Sequence, residues 1–293
     1  MRDALALWAE PGDLTVLGPH VALPLRGDPV VRAVAVSQAL LRYDTVAEAL
    51  YGHRPSDERA GDIHVRSAAE LLDLASSLDD APLSVARADG ARVLGRCRTY
   101  AVLSVALLRS AGIPSRARCG FASYFVPGRW EDHWVVEHWS DALGRWVIAD
   151  PQLDDVWRRH VGVTFDPLDL PDGAFLPAGV VWQQVRRGLI DETRCGLASV
   201  DLQGAWFVAG NVVRDLAALT KQELLPWDVW GAMPAPGPVD EQTSARVDTW
   251  AEVSCDPDGR FFDLLACVTD DEGVRVPDEV LNTGRNRMER WLP

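Results

Sequence analysis

Lysine is nearly absent: Lys221 is the only one, and every other residue among the 29 basic ones is arginine. We read this as the codon usage of a GC-rich bacterial genome and attach no function to it. Basic charge is also outweighed, because 43 acidic residues leave a net charge of −14 and a pI near 4.8. A chain of that sign does not offer the basic face that nucleic-acid phosphates require, and an anionic membrane surface repels it. No run approaches the roughly 18 apolar residues of a membrane-spanning helix. The opening MRDALALWAEPGD has no basic flank before a long apolar stretch, so no secretion signal is expected. Five cysteines (Cys97, Cys119, Cys195, Cys255, Cys267) are odd in number and form no C-x-x-C pair. Neither a disulfide framework nor a structural zinc site fits that spacing, and a reducing cytoplasm is the expected compartment. Internal repeats and low-complexity tracts are missing as well.

What remains is an ordinary globular composition, 47% hydrophobic and 25% charged over 293 residues, long enough to bury a sizeable core. Residues 1–27 mix short apolar pieces with Pro and Gly and read as strand or loop. Asp28-Pro29 is a helix start, with Asp as cap and Pro at a position that needs no N–H. The spacing that follows predicts one helix running on to about Leu50. YGHRPSDERAG reads as a loop. Ser67 and Glu70 form a capping-box pattern, so a second helix is predicted through about Leu78.

From Thr99 to Ala111 the chain is apolar nearly all round, the mark of a helix buried on most sides. Gly112 and Ile113-Pro114 end it. Three β-like runs follow, SRARCGFASYF, HWVVEHW and RWVIAD, separated by VPGRWED and SDALG. A helix followed by an antiparallel meander predicts an α+β class, with a cysteine at the N-terminus of a buried helix packed on the sheet. Residues 151–175 read as an irregular excursion, and helices are predicted over Pro177–Arg187 and Val213–Leu225. The expected organisation is a main domain over 1–230, a Pro-rich linker or mobile loop over 231–247, and a small segment over 248–293 docked on the core.

Chemistry concentrates in Leu94–Asp155. Cys97 stands where a helix begins, so unpaired N–H groups and the positive end of the dipole favour its thiolate. Arg96 and Arg98 add positive potential, and Gly95 leaves room for a substrate; the plain alternative is a small buried apolar side chain. In HWVVEHW the strand period puts His133, Val135 and Glu137 on one face and Trp134, Val136 and His138 on the other. A His acting as general base needs a carboxylate on its other nitrogen. Asp150, at the end of the next run, stands where it could reach back to His133. Taken singly, His133 reads equally as an edge-strand histidine and Asp150 as the opening of an Asp-Pro turn.

The order Cys, His, Asp on helix, strand and next strand is far more specific than any one of them. GRCRTYAVLSVALLRSAGIPSRARCG, with HWVVE and RWVIADP, resembles the transglutaminase-like superfamily over about 60 of the 293 residues. That resemblance implies a papain-like α+β core and a triad carried onto Cys97, His133 and Asp150. It implies cysteine-dependent acyl transfer through a thioester, either amide or ester hydrolysis or amide formation, with no cofactor. One departure stands out: family members usually carry an aromatic two residues after the histidine, where this chain has Val135. No upstream oxyanion donor is assigned, since Gln38 lies in what reads as plain amphipathic helix.

Trp130, Trp134 and Tyr124, with Phe121 and Trp139, are candidates for an apolar substrate cleft, against core packing as the alternative. Arg116 and Arg118 alternate on a strand and read as a solvated face or a substrate-carboxylate site. Cys119 reads as structural. His138, Cys119 and Asp150 lack zinc-ligand spacing, so no metal is expected. A small peptide or metabolite is the expected substrate. The rival reading is a catalytically inactive papain-like binding module, and a metalloenzyme is a third.

Overall fold

The computed structural model describes residues 2–20, 27–44, 47–52 and 57–292. It divides into two compact units, each made of two stretches of chain. The N-terminal unit comprises Arg2–Ala117 and Val135–Leu170, and the C-terminal unit comprises Arg118–Trp134 and Pro171–Pro293.

The N-terminal unit begins with α1 (Arg2–Ala9), α2 (Pro29–Leu40), β1 (Leu41–Tyr43) and α3 (Ala47–Tyr51). It continues through α4 (Ala68–Leu78), β2 (Val93–Gly95) and α5 (Cys97–Ser110). β3 (Ser115–Ala122) and β4 (Trp130–Ser140) are divided between the units, and β5 (Arg145–Ala149) and α6 (Asp155–Val161) complete this one.

The cap at Asp28 forms as predicted, accepting from the N–H groups of Val30 and Val31. The helix does not run to Leu50, however. It stops at Leu40, and Leu41–Tyr43 pair in parallel with Val93–Gly95. Leu41 is buried at 2% exposure, and pairing with a distant strand outweighs local helical spacing there. The 1–27 stretch also departs from expectation, opening in α1, whose Trp8 is fully buried; positions 21–26 and the 53–56 part of the predicted loop lie outside the described residues. α4 carries the Ser67/Glu70 capping box at its predicted place.

α5 is the centre of this unit. Thirteen of its fourteen residues are buried, and α1, α2 and α4 pack against it. A buried Ser37–Ser104 hydroxyl pair at 2.8 Å ties it to α2. The Arg109 guanidinium donates to the Ser115 carbonyl at 3.0 Å, tying its last turn to β3. On the sheet, β4 pairs antiparallel with β5, with Val136 opposite Ala149 and Ser140 opposite Arg145.

Arg116 corrects the solvated-face reading. It is 3% exposed, donates to Glu137 at 2.6 Å, and lies 4.3 Å over the Trp8 ring and 3.9 Å over the Trp146 ring. A guanidinium is tolerated in such a place because a carboxylate neutralises it and aromatic faces attract it.

The C-terminal unit adds β6 (Phe175–Pro177), α7 (Ala178–Arg186), β7 (Cys195–Leu197), β8 (Leu202–Gln203) and α8 (Ala205–Leu219). β9 (Asp228–Val229), α9 (Glu241–Cys255), α10 (Phe261–Asp270), β10 (Glu279–Asn282) and β11 (Arg287–Arg290) follow. Its main sheet has the order β6-β3-β4-β7-β8. β6 is antiparallel to β3, whereas β7 runs parallel to β4, with Trp130 opposite Cys195. The sheet is therefore mixed and not the purely antiparallel meander expected.

The 231–247 stretch is only partly loop, since α9 opens at Glu241 under an Asp240 cap. α9 packs against α7 and α8. Arg118 is also buried, again against the solvated-face expectation: Asp215 on α8 accepts from its Nε at 3.0 Å and its Nη2 at 2.8 Å. The class is mixed α+β, and among the described residues no helix is long and apolar enough to cross a membrane.

Candidate active site

Cys97 is the first residue of α5 and is 6% exposed. Arg96 precedes it in an extended conformation, so the chain enters the helix abruptly at the cysteine. Thr99 secures the entry, its Oγ1 accepting from the Arg96 N–H at 3.1 Å. The same Thr99 gives Gly95 a role other than the one expected. A Cβ on Gly95 would lie 2.9 Å from the Thr99 side chain, so the space that glycine leaves is filled by the helix cap and not kept for a substrate. Arg96 turns to Asp44, with Nη2 2.9 Å from its carboxylate. Arg98 is fully buried beneath the helix start. The first N–H groups of α5 have no partner within the helix, so the cysteine sits at the positive end of a helix dipole.

His133 lies on β4 at 2% exposure, in the C-terminal unit. Its ring meets Phe125 edge-on at 4.8 Å between centroids and Tyr124 at 6.1 Å. These two aromatics come from the loop before β4. The strand is fixed at the two residues just before His133. Asn211 on α8 donates to Asp132 at 2.6 Å, and Arg214 in turn donates to Asn211 at 3.0 Å. Glu131 accepts from the Ala198 N–H at 3.1 Å and from Arg129 at 3.2 Å. Burial pushes the Asp132 carboxyl above the usual range, against the pull of Arg214 and Asn211.

Asp150 follows β5 directly and is fully buried, in the N-terminal unit. Its N–H donates to the Pro167 carbonyl at 2.8 Å. Its Oδ1 accepts from the Gln152 N–H at 2.9 Å, an Asx-type turn that fixes the carboxyl at the strand end. Gln38 on α2 reaches the same corner, donating to the Pro151 carbonyl at 3.2 Å.

Of the three aromatic cleft candidates, Trp134 is 1% exposed and belongs to the core. An enclosed ring offers no face to a bound molecule, so the core-packing alternative holds for it. Trp130 and Tyr124 are half-buried. Phe125 was missed, because nothing in SYFVPG marks which of two adjacent aromatics turns toward the histidine; Asp132 and Asn211 lie 79 residues apart and carry no pairwise signal.

Three of the other thiols are raised by their surroundings. Burial pushes Cys195 up to about 12 and Cys255 up to about 11, and raises Cys267 as well. Burial also lowers the His138 imidazole. Among the described residues no group of three or more His, Cys, Asp or Glu side chains is placed to hold a metal ion.

Residues 64–151 match the family model of the transglutaminase-like superfamily. This stretch is transglutaminase-like. It contains Cys97, His133 and Asp150 and spans under a third of the chain. Superfamily members are typically cysteine enzymes, consistent with cysteine-based catalysis in general. No curated protein matches the chain.

Among solved structures, the chain is similar to red sea bream transglutaminase at 18% identity and a TM-score of 0.31. That match covers 49% of this chain and 27% of the other. It is also similar to a candidate cysteine protease from Cytophaga hutchinsonii at 18% identity and a TM-score of 0.21, covering 56% and 50% of the two chains. The chain thus spans half or less of each of these two proteins.

Proposed function

We propose that the protein is a cysteine-dependent acyl-transfer enzyme working through a thioester on Cys97, with His133 and Asp150 as its partners. The observation that carries this reading is the position of Cys97 as the opening residue of α5, inside the transglutaminase-like stretch. In this mechanism the thiolate of Cys97 attacks an amide or ester carbonyl, forming the C–S bond, and the oxyanion meets the N–H groups at the helix start. His133 gives its proton to the leaving amine or alcohol as the C–N or C–O bond breaks. Water or an amine then attacks the thioester while His133 takes the proton back, and the thiolate is restored. Asp150 holds the imidazole tautomer and steadies the imidazolium.

The substrate class is a small peptide or metabolite, and the half-buried Tyr124 and Trp130 are the aromatic side chains suited to touch it. Five free cysteines accord with a reducing, cytoplasmic setting.

The test is intact-mass detection of an acyl adduct after exposure to activated esters and small amides. Wild type should gain the mass of one acyl group, and Cys97→Ala should gain none. Absence of an adduct with every donor would favour an inactive binding module.

A further inference from the structure

The N-terminal unit holds an open pocket of about 530 Å³ beside α2 and α6. Cys97 is not among its lining residues, and the same holds for Asp150. Its walls are largely apolar, with Val31 and Val34 on α2 and Leu153, Val156 and Leu168 opposite. Set into those walls are two guanidiniums, Arg92 and Arg158, and three carboxylates, Asp89, Asp154 and Asp155.

The charges do not cancel. Arg92 lies 3.7 Å from Asp89, and Arg158 lies 3.6 Å from Asp155. Among the described residues Asp154 has no ion-pair partner. Its Oδ1 caps α6, accepting from the N–H groups of Val156 at 2.9 Å and Trp157 at 2.8 Å. Beside it, the Tyr51 side chain lines the same pocket.

We propose that this pocket is a binding site for a small organic cation, an ammonium on a short apolar body, with the charge set against Asp154. A carboxylate flanked by apolar walls is attracted to a cation more strongly than one in open water. Burial already pushes the Asp154 carboxyl above its ordinary range, against the pull of the Trp157 and Val156 N–H groups and of Arg92. A bound ammonium would supply what is missing, and the apolar body would cover Val31, Val34 and Leu153. An anionic ligand would instead face one carboxylate more than there are guanidiniums. The site does not depend on the acyl-transfer reading.

The test is isothermal titration of the full chain with n-pentylammonium, n-pentanol and pentanoate. Saturable binding of n-pentylammonium is expected, at least tenfold tighter than binding of the alcohol. Asp154→Asn keeps an oxygen to cap α6 and should weaken binding at least tenfold. Ala35→Phe, at an exposed wall position on α2, should block the pocket and do the same. Cys97→Ala should bind as wild type does, so a loss of chemistry and a loss of this site are distinguishable. No saturable binding, equal binding of alcohol and ammonium, preference for pentanoate, or unchanged affinity in Ala35→Phe would overturn the proposal. So would unchanged affinity in a folded Asp154→Asn.

Discussion

Replacing Asp215 by alanine should be among the most damaging single changes in the C-terminal unit. Its carboxylate is fully buried and accepts four hydrogen bonds: from Arg118 Nε at 3.0 Å, Arg118 Nη2 at 2.8 Å, the Cys119 N–H at 2.9 Å and the Ser254 hydroxyl at 2.7 Å. Removing it takes from a guanidinium whose side chain is 3% exposed the carboxylate that accepts from two of its nitrogens. The Ser254 carbonyl, 2.9 Å from Nη2, remains but carries only a partial charge. Breaking a buried pair from one side costs about 3–5 kcal/mol, and at about 1.4 kcal/mol per factor of ten that lowers the folding constant by roughly two to four orders of magnitude. The assay is urea unfolding followed by circular dichroism, run as a cycle with Arg118→Met and the double variant. Replacing both charges by apolar groups is often close to neutral, so the double variant should be more stable than Asp215→Ala alone. Strictly additive losses, or a loss under about 1 kcal/mol in Asp215→Ala, would refute the reasoning.

Two further outcomes are expected. A Cβ on Gly120 would overlap the Leu176 carbonyl oxygen and lie 2.7 Å from the Phe175 ring and 2.9 Å from the Pro177 Cα, so Gly120→Ala should prise β6 from β3 and cost about 2 kcal/mol or more in urea unfolding. Burial raises the Asp132 pKa above 3.8, so the folded state holds its proton more tightly than the unfolded state. The stabilisation that follows is complete below about 3.8 and is lost as pH rises through the folded value; wild type should therefore gain on Asp132→Asn as pH falls from 7 toward 4, and a pH-independent difference would contradict the assignment.

The parts of the fold with strong local signals were legible in the chain. Ser67 with Glu70, the all-round apolar run after Cys97, and the three β-like segments each produced an element at the expected place. Gly112, at φ +74°, does end the central helix. What escaped depends on partners distant in sequence. Leu41–Tyr43 leave helical spacing because Val93–Gly95 offer a ladder 52 residues on. Arg116 and Arg118 read as surface because two arginines alternating on a strand usually are. Their burial needs Glu137, Trp146 and Asp215, which no local pattern connects to them. α8 starts at Ala205, eight residues before the predicted Val213, because Trp206 and Phe207 lead into a helix that is buried nearly throughout.

The candidate site shows the same split. Cys97, His133 and Asp150 were nameable from the order of residue types. The contact of Phe125 with His133 and the Asn211–Asp132 clamp were not, since both arise from how loop and helix return to β4.

The most direct measurement is the rate of Cys97 alkylation by iodoacetamide at neutral pH, followed by peptide mass in wild type and His133→Asn. Cys195 and Cys255, held near 12 and 11, contribute little below pH 8. An activated thiolate predicts that wild-type Cys97 reacts at neutral pH faster than a free thiol and that His133→Asn slows it toward the free-thiol rate. A wild-type rate no faster than that of a free thiol, unchanged in the variant, would contradict the account.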